Sequence, residues 1–70
     1  MADQARHPSI AHLLKYFTYG HLPEQLAKVS KPFCVTAHEL TNTLPESPEL
    51  TACLRKLLEA KDCAVRAALT

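Results

Sequence analysis

The stretch from Ser47 to Thr70 constrains the fold more than any other part of the chain. Ser47 can cap a helix, Pro48 suits its first turn, and Glu49 places a negative charge where the helix dipole favours one. From Glu49 to the last residue there is no Gly or Pro, and Ala, Leu, Lys, Arg and Glu, all good helix formers, dominate. Leu50, Leu54, Leu57, Lys61, Ala64 and Ala68 recur by fours and threes, and Cys53, Leu58, Ala60, Val65, Ala67 and Leu69 widen the row into an apolar stripe. Thr51, Arg55, Glu59, Asp62, Arg66 and Thr70 form the opposite face, with Arg55–Glu59 and Asp62–Arg66 spaced as i,i+4 ion pairs. A helix this apolar needs a partner, and its Ala-rich second half allows close approach. Lys61 interrupts the stripe with an ammonium group where a leucine is expected.

Seventy residues make a single domain spanning 1–70, and a core of that size contributes only a few kcal/mol unless something reinforces it. Cys34, Cys53 and Cys63 are odd in number and lack C-x-x-C spacing. Cys53 and Cys63 fall on one helix ~15 Å apart along its axis, too far to pair. Free thiols in a reducing cytosol are therefore expected. His7, His12, His21 and His38 share no metal-ligand spacing with the cysteines, so no metal or cofactor is expected. Self-association remains as the reinforcement, and a chain that is 47% hydrophobic has surface to bury in it.

The net charge of +1 argues against a nonspecific DNA binder, although a local phosphate site is compatible with it. No long apolar run, signal peptide or lipidation motif occurs, which points to a soluble intracellular chain without membrane contact.

Upstream, Met1 to Pro8 is polar and expected to fray. Ser9 offers a cap, and Ile10, Leu13, Leu14 and Phe17 define a short helix expected to end at Gly20 as a left-handed residue. Pro23 opens a second helix whose apolar register runs through Leu22, Leu26, Val29, Phe33, Ala37, Leu40 and Leu44. Pro32 lies inside that run. Either one long helix kinks there, or a short helix stops near Ser30 and another begins; the unbroken register favours the first. Leu44-Pro45-Glu46-Ser47 makes the turn into the final helix. The expected fold is all-α: a short N-terminal helix, then an antiparallel helical hairpin, assembled as a homo-oligomer.

Enzymatic machinery is not evident. No paired carboxylates, Gly-rich phosphate loop, Cys–His signature or zinc spacing occurs, and His38-Glu39 lacks a second ligand one turn on. An aromatic and basic group is more informative. Tyr16, Phe17, Tyr19 and His21 precede Lys28, Ser30 and Lys31, and the last helix adds Lys56, Lys61 and Arg66. A ring can stack on a base for ~1–3 kcal/mol, while Lys, Arg and Ser can meet phosphate. Each residue also has a plainer reading. Phe17 and Phe33 fit a core; Tyr16 and Tyr19 fit amphipathic packing; Lys28 and Lys31 fit a solvated face; Lys61 can snorkel out of the seam.

The run Phe17-Thr18-Tyr19-Gly20-His21-Leu22-Pro23 and a basic residue early in the next helix (Lys31, or Lys28) resemble small phage helical-hairpin proteins that sponge up cyclic nucleotides, the anti-CBASS and anti-Thoeris type. Ala37-His38-Glu39-Leu40, Leu44-Pro45, Glu49-Leu50-Thr51 and Leu57-Leu58-Glu59-Ala60 continue the likeness, which covers Leu14 to Leu69. The resemblance implies a homo-oligomer, commonly hexameric, in the cytoplasm of an infected bacterial host. Such a protein binds a cyclic di- or trinucleotide or a cyclic ADP-ribose type signal between subunits and performs no reaction. It implies that Tyr19 stacks on a base and that Lys31, or Lys28, meets phosphate. Lys61-Asp62-Cys63-Ala64-Val65-Arg66 departs from the aromatic and asparagine expected there. Nanomolar affinity requires about 12 kcal/mol, so residues of several subunits must converge: Tyr19 and His21 on the base, with Lys31, Lys61 or Arg66 on phosphate. The alternative is a helical-hairpin protein-interaction module with no small ligand.

Overall fold

A computed structural model describes residues 7–70. The described chain is three helices, α1 (Pro8–Lys15), α2 (Glu24–Thr43) and α3 (Pro48–Leu69), with no strand among the described residues. Of the segment expected to fray, residues 1–6 lie outside the described residues, while His7 and Pro8 form an ordered helix start.

α3 begins as its sequence dictates. The Ser47 hydroxyl accepts from the Leu50 N–H at 3.1 Å, Pro48 occupies the first turn, and the helix runs to Leu69. α2 pairs with it antiparallel across the short turn after Thr43. Thr41 with Leu50, Ala37 with Leu54, and Ser30 with Lys61 are each equidistant from the centre of that turn. The first five of these are buried, and the Lys61 side chain is only 14% exposed. These buried positions mark the seam of the hairpin.

α1 completes the fold at one end only. Ile10, Leu13, Leu14 and Phe17 pack with Ala37, Leu50 and Leu54 into the fully buried core. Phe33, Cys34, Leu40, Leu57 and Leu58 pack against it half-buried. Beyond Leu58 no residue of α3 is fully buried. A helix of eight residues is too short to cover a stem of this length.

The start and end of α1 both differ from expectation. His7, not Ser9, is the cap: its Nδ1 accepts from the Ser9 N–H at 3.1 Å, and Glu46 accepts from the His7 N–H at 2.7 Å. The helix ends at Lys15, five residues before Gly20, and Gly20 has no positive φ. Tyr16, Phe17 and Thr18 N–H groups donate to the Leu13, Leu14 and Lys15 carbonyls, and the Thr18 hydroxyl also donates to Lys15 O at 3.0 Å. These i,i+3 bonds tighten and stop the helix without a left-handed residue.

Pro32 neither stops nor divides α2, which continues through it as one helix. The ring is exposed, so the Lys28 carbonyl that loses its partner faces water. The ion pairs also differ. Lys28–Glu24 at 3.9 Å and Lys61–Asp62 at 3.2 Å form among the described residues, in place of Arg55–Glu59 and Asp62–Arg66.

Two stability measurements check this description. Nothing lies within 4 Å of a Cβ built on Gly20, so Gly20→Ala should leave stability unchanged or raise it by up to ~1 kcal/mol in urea unfolding. Pro32→Ala restores a helix bond on the exposed face and should raise stability by roughly 1–3 kcal/mol, read as a higher Tm.

Candidate functional site

Topology gathers the aromatic and basic residues singled out in the sequence. Tyr19 and His21 lie in the connection between α1 and α2, which ends where α2 begins. Because the hairpin is antiparallel, the first turns of α2 lie beside the last turns of α3. Lys28 and Lys31 are therefore at the same end of the stem as Lys61 and Arg66. This is the end that α1 leaves uncovered by any third helix.

Individual exposures sort the group. Tyr19 is half-buried. The Tyr19 C=O accepts from the Leu22 N–H at 3.0 Å, which closes a turn carrying the exposed His21. Lys28 and Lys31 are exposed and, three residues apart, share a face of α2. Lys28 pairs with Glu24, but both side chains are mostly in water, so the pair is weak and can exchange for another anion. Arg66 is exposed, with one guanidinium N–H donating to Cys63 Sγ at 3.4 Å.

Two of the seven residues face the seam. Ser30 is fully buried and its Oγ has no hydrogen-bond partner, so within a single chain it cannot meet a ligand. Its counterpart on the same helix, Thr41, is satisfied by donating to the Ala37 carbonyl at 2.7 Å. Lys61 is largely covered and its ammonium is answered by Asp62. The charge reaches the edge of the seam, as a snorkelling lysine does. An anion meeting Lys61 would have to share it with that carboxylate.

Tyr16 belongs to a different arrangement. It is half exposed and meets His12 edge to face, with centroids 5.2 Å apart and the hydroxyl 3.4 Å from Nε2. Phe17 is completely buried and serves the core.

Sequence reasoning missed a concave surface at the opposite end of the stem. The start of α1, the α2–α3 turn and the start of α3 enclose a cleft of about 590 Å³ lined by His7, Glu46, Thr51 and Arg55 among others. The signal available was the pair of X-Pro helix starts, His7-Pro8 and Ser47-Pro48, which mark two helices beginning in similar fashion. Nothing in the sequence shows that they meet.

No group of three or more His, Cys, Asp or Glu side chains among the described residues is placed to hold a metal ion. No helix among them is long and apolar enough to cross a membrane. The chain matches no protein-family model, no curated protein and no solved structure.

The orphan hydroxyl of Ser30 yields a direct check. A buried polar group without a partner costs about 1–3 kcal/mol, so Ser30→Ala should raise stability by about 1 kcal/mol in chemical denaturation. A fall of that size would mean that the hydroxyl is engaged.

Proposed function

We propose that the chain is a non-enzymatic binder that sequesters a cyclic nucleotide or oligonucleotide signal, a phage counter-defence protein acting inside a bacterial host. One observation supports this above the rest. Half-buried Tyr19 and exposed His21, Lys28, Lys31 and Arg66 lie toward the uncovered end of the stem. A base can stack on the ring while lysine and arginine neutralise phosphate.

Each of these side chains lies on an open surface, where water competes for every contact. Tight sequestration then needs a second copy to close over the ligand, with a hexamer the assembly that the family resemblance implies. Exposed Val35, Leu44 and Leu69, and half-buried Leu57, Leu58 and Val65, provide apolar surface for such contacts. On this reading Tyr19 and His21 take the base, and Lys31, with Lys28 and Arg66 as neighbours, takes phosphate. Ser30 acts only as a small seam residue, and Lys61 contributes charge at the edge. Cyclic dinucleotides, trinucleotides and cyclic ADP-ribose type molecules all fit this chemistry.

The same exposed apolar side chains favour a second reading, a helical hairpin that binds another protein and takes no small ligand. The two part in a thermal-shift assay. A ligand at about 100 times its Kd stabilises by ~2.7 kcal/mol, which in a domain this small raises Tm by roughly 10–20 °C. One member of a cyclic-nucleotide panel should produce such a shift. Tyr19→Ala should fold, shown by its helical circular dichroism, and lose the shift, and Lys31→Ala should weaken it. Flat melting curves across the whole panel reject sequestration and leave the interaction hairpin.

A further inference from the structure

The cleft at the turn end is a second place where this chain can hold a small molecule. Its volume of about 590 Å³ lies within the span of about 300–1,000 Å³ usual for small-molecule sites. Ile10, Pro48 and Ala52 give it apolar wall, and His7, Glu46 and Arg55 bring its titratable groups. Much of the polar inventory is already committed. Ser47 Oγ accepts from Leu50 N–H, and Glu46 Oε2 accepts from His7 N–H at 2.7 Å. Thr51 Oγ1 donates to the Ser47 carbonyl at 3.4 Å.

Two donors remain. Arg55 is exposed and forms no ion pair among the described residues, so its guanidinium fork is available. His7 Nδ1 accepts from the Ser9 backbone N–H, which can only donate, and lies 2.9 Å from Ser9 Oγ, which donates to it as well; Nδ1 then carries no proton. The neutral ring must then hold its hydrogen on Nε2, and that atom is a donor. A guanidinium and an imidazole N–H at the edge of an apolar cleft call for an acceptor that carries negative charge. Glu46, fixed close by at the start of α1, penalises a doubly charged head.

We propose that this cleft binds a small molecule with a singly charged oxyanion head and an apolar body, the head meeting Arg55 and His7 Nε2–H. A carboxylate matches the Arg55 fork in bidentate geometry. A phosphate monoester shares the head chemistry but meets Glu46 as a near-dianion, so carboxylates bind more tightly. The site is independent of the nucleotide reading, since no residue of the Tyr19 end lines it.

Benzoate is a suitable probe. Titrated into the full chain at low salt and followed by ¹H–¹⁵N NMR, it should shift the Ala52, Thr51 and Ile10 amides and the Arg55 side-chain N–H saturably. Acetate, lacking the body, should shift the same signals more weakly. Arg55→Gln should keep its Tm, because the side chain is exposed, and lose affinity for benzoate by about tenfold or more. Tyr19→Ala should bind benzoate as the parent does. Inorganic phosphate that displaces benzoate at higher concentration extends the site to phosphate esters, and phosphate that never displaces it restricts the site to carboxylates. Non-saturating shifts, undiminished binding in Arg55→Gln, or loss of binding in Tyr19→Ala each overturn the proposal.

Discussion

Phe17 and Leu54, both sealed from solvent, lie where all three helices meet, and the architecture depends on that junction. Burying a side chain of this size is worth roughly 1.5–3 kcal/mol. α1 can supply its share only if Ile10, Leu13, Leu14 and Phe17 all face inward, which the helical spacing ensures. The length of α1 then decides everything else about coverage. Eight residues reach the turn end of the hairpin and no further, so the apolar stripe of α3 passes from sealed at Leu50 and Leu54 to half-open at Leu57, Ala64 and Val65. The same shortness leaves the aromatic and basic residues at a bare end.

Much of this was legible in the sequence, where local chemistry decided the outcome. Ser47-Pro48 fixed the start of α3, and the unbroken apolar register carried α2 through Pro32, because the ring faces water and disturbs no packing. Elsewhere a strong local signal misled. Gly20 looks like a helix terminator, yet i,i+3 bonds and the Thr18 hydroxyl end α1 well before it. Ser9 looks like a cap, yet the imidazole of His7, one residue ahead of a proline, takes that role.

The placement of the candidate residues was legible in part. That Lys28, Lys31, Lys61 and Arg66 share one end follows from an antiparallel hairpin, and Tyr19 and His21 join them because their connection leads into α2. That Ser30 turns inward depends on the angular register of the seam, which composition does not show. The cleft at the other end was invisible, because the Glu46–His7 contact that helps build it joins residues 39 apart in sequence. Ser30 and Lys61, equally far in sequence from the turn and polar within the seam, also carry information. Sliding α3 by one turn toward the hairpin turn would carry the lysine to the place of Leu57, nearer the sealed core, where its charge is costlier, so this layer favours the hairpin's alignment.

The uneven thickness of the molecule has a dynamic consequence. Segments with few sealed neighbours open at lower free energy than those at a three-way junction, so this chain has a firm end and a loose one. The tail of α3 and the head of α2 can separate or fray without disturbing Phe17. Anything that settles there must also quieten that motion, and part of its binding energy goes into ordering the stem.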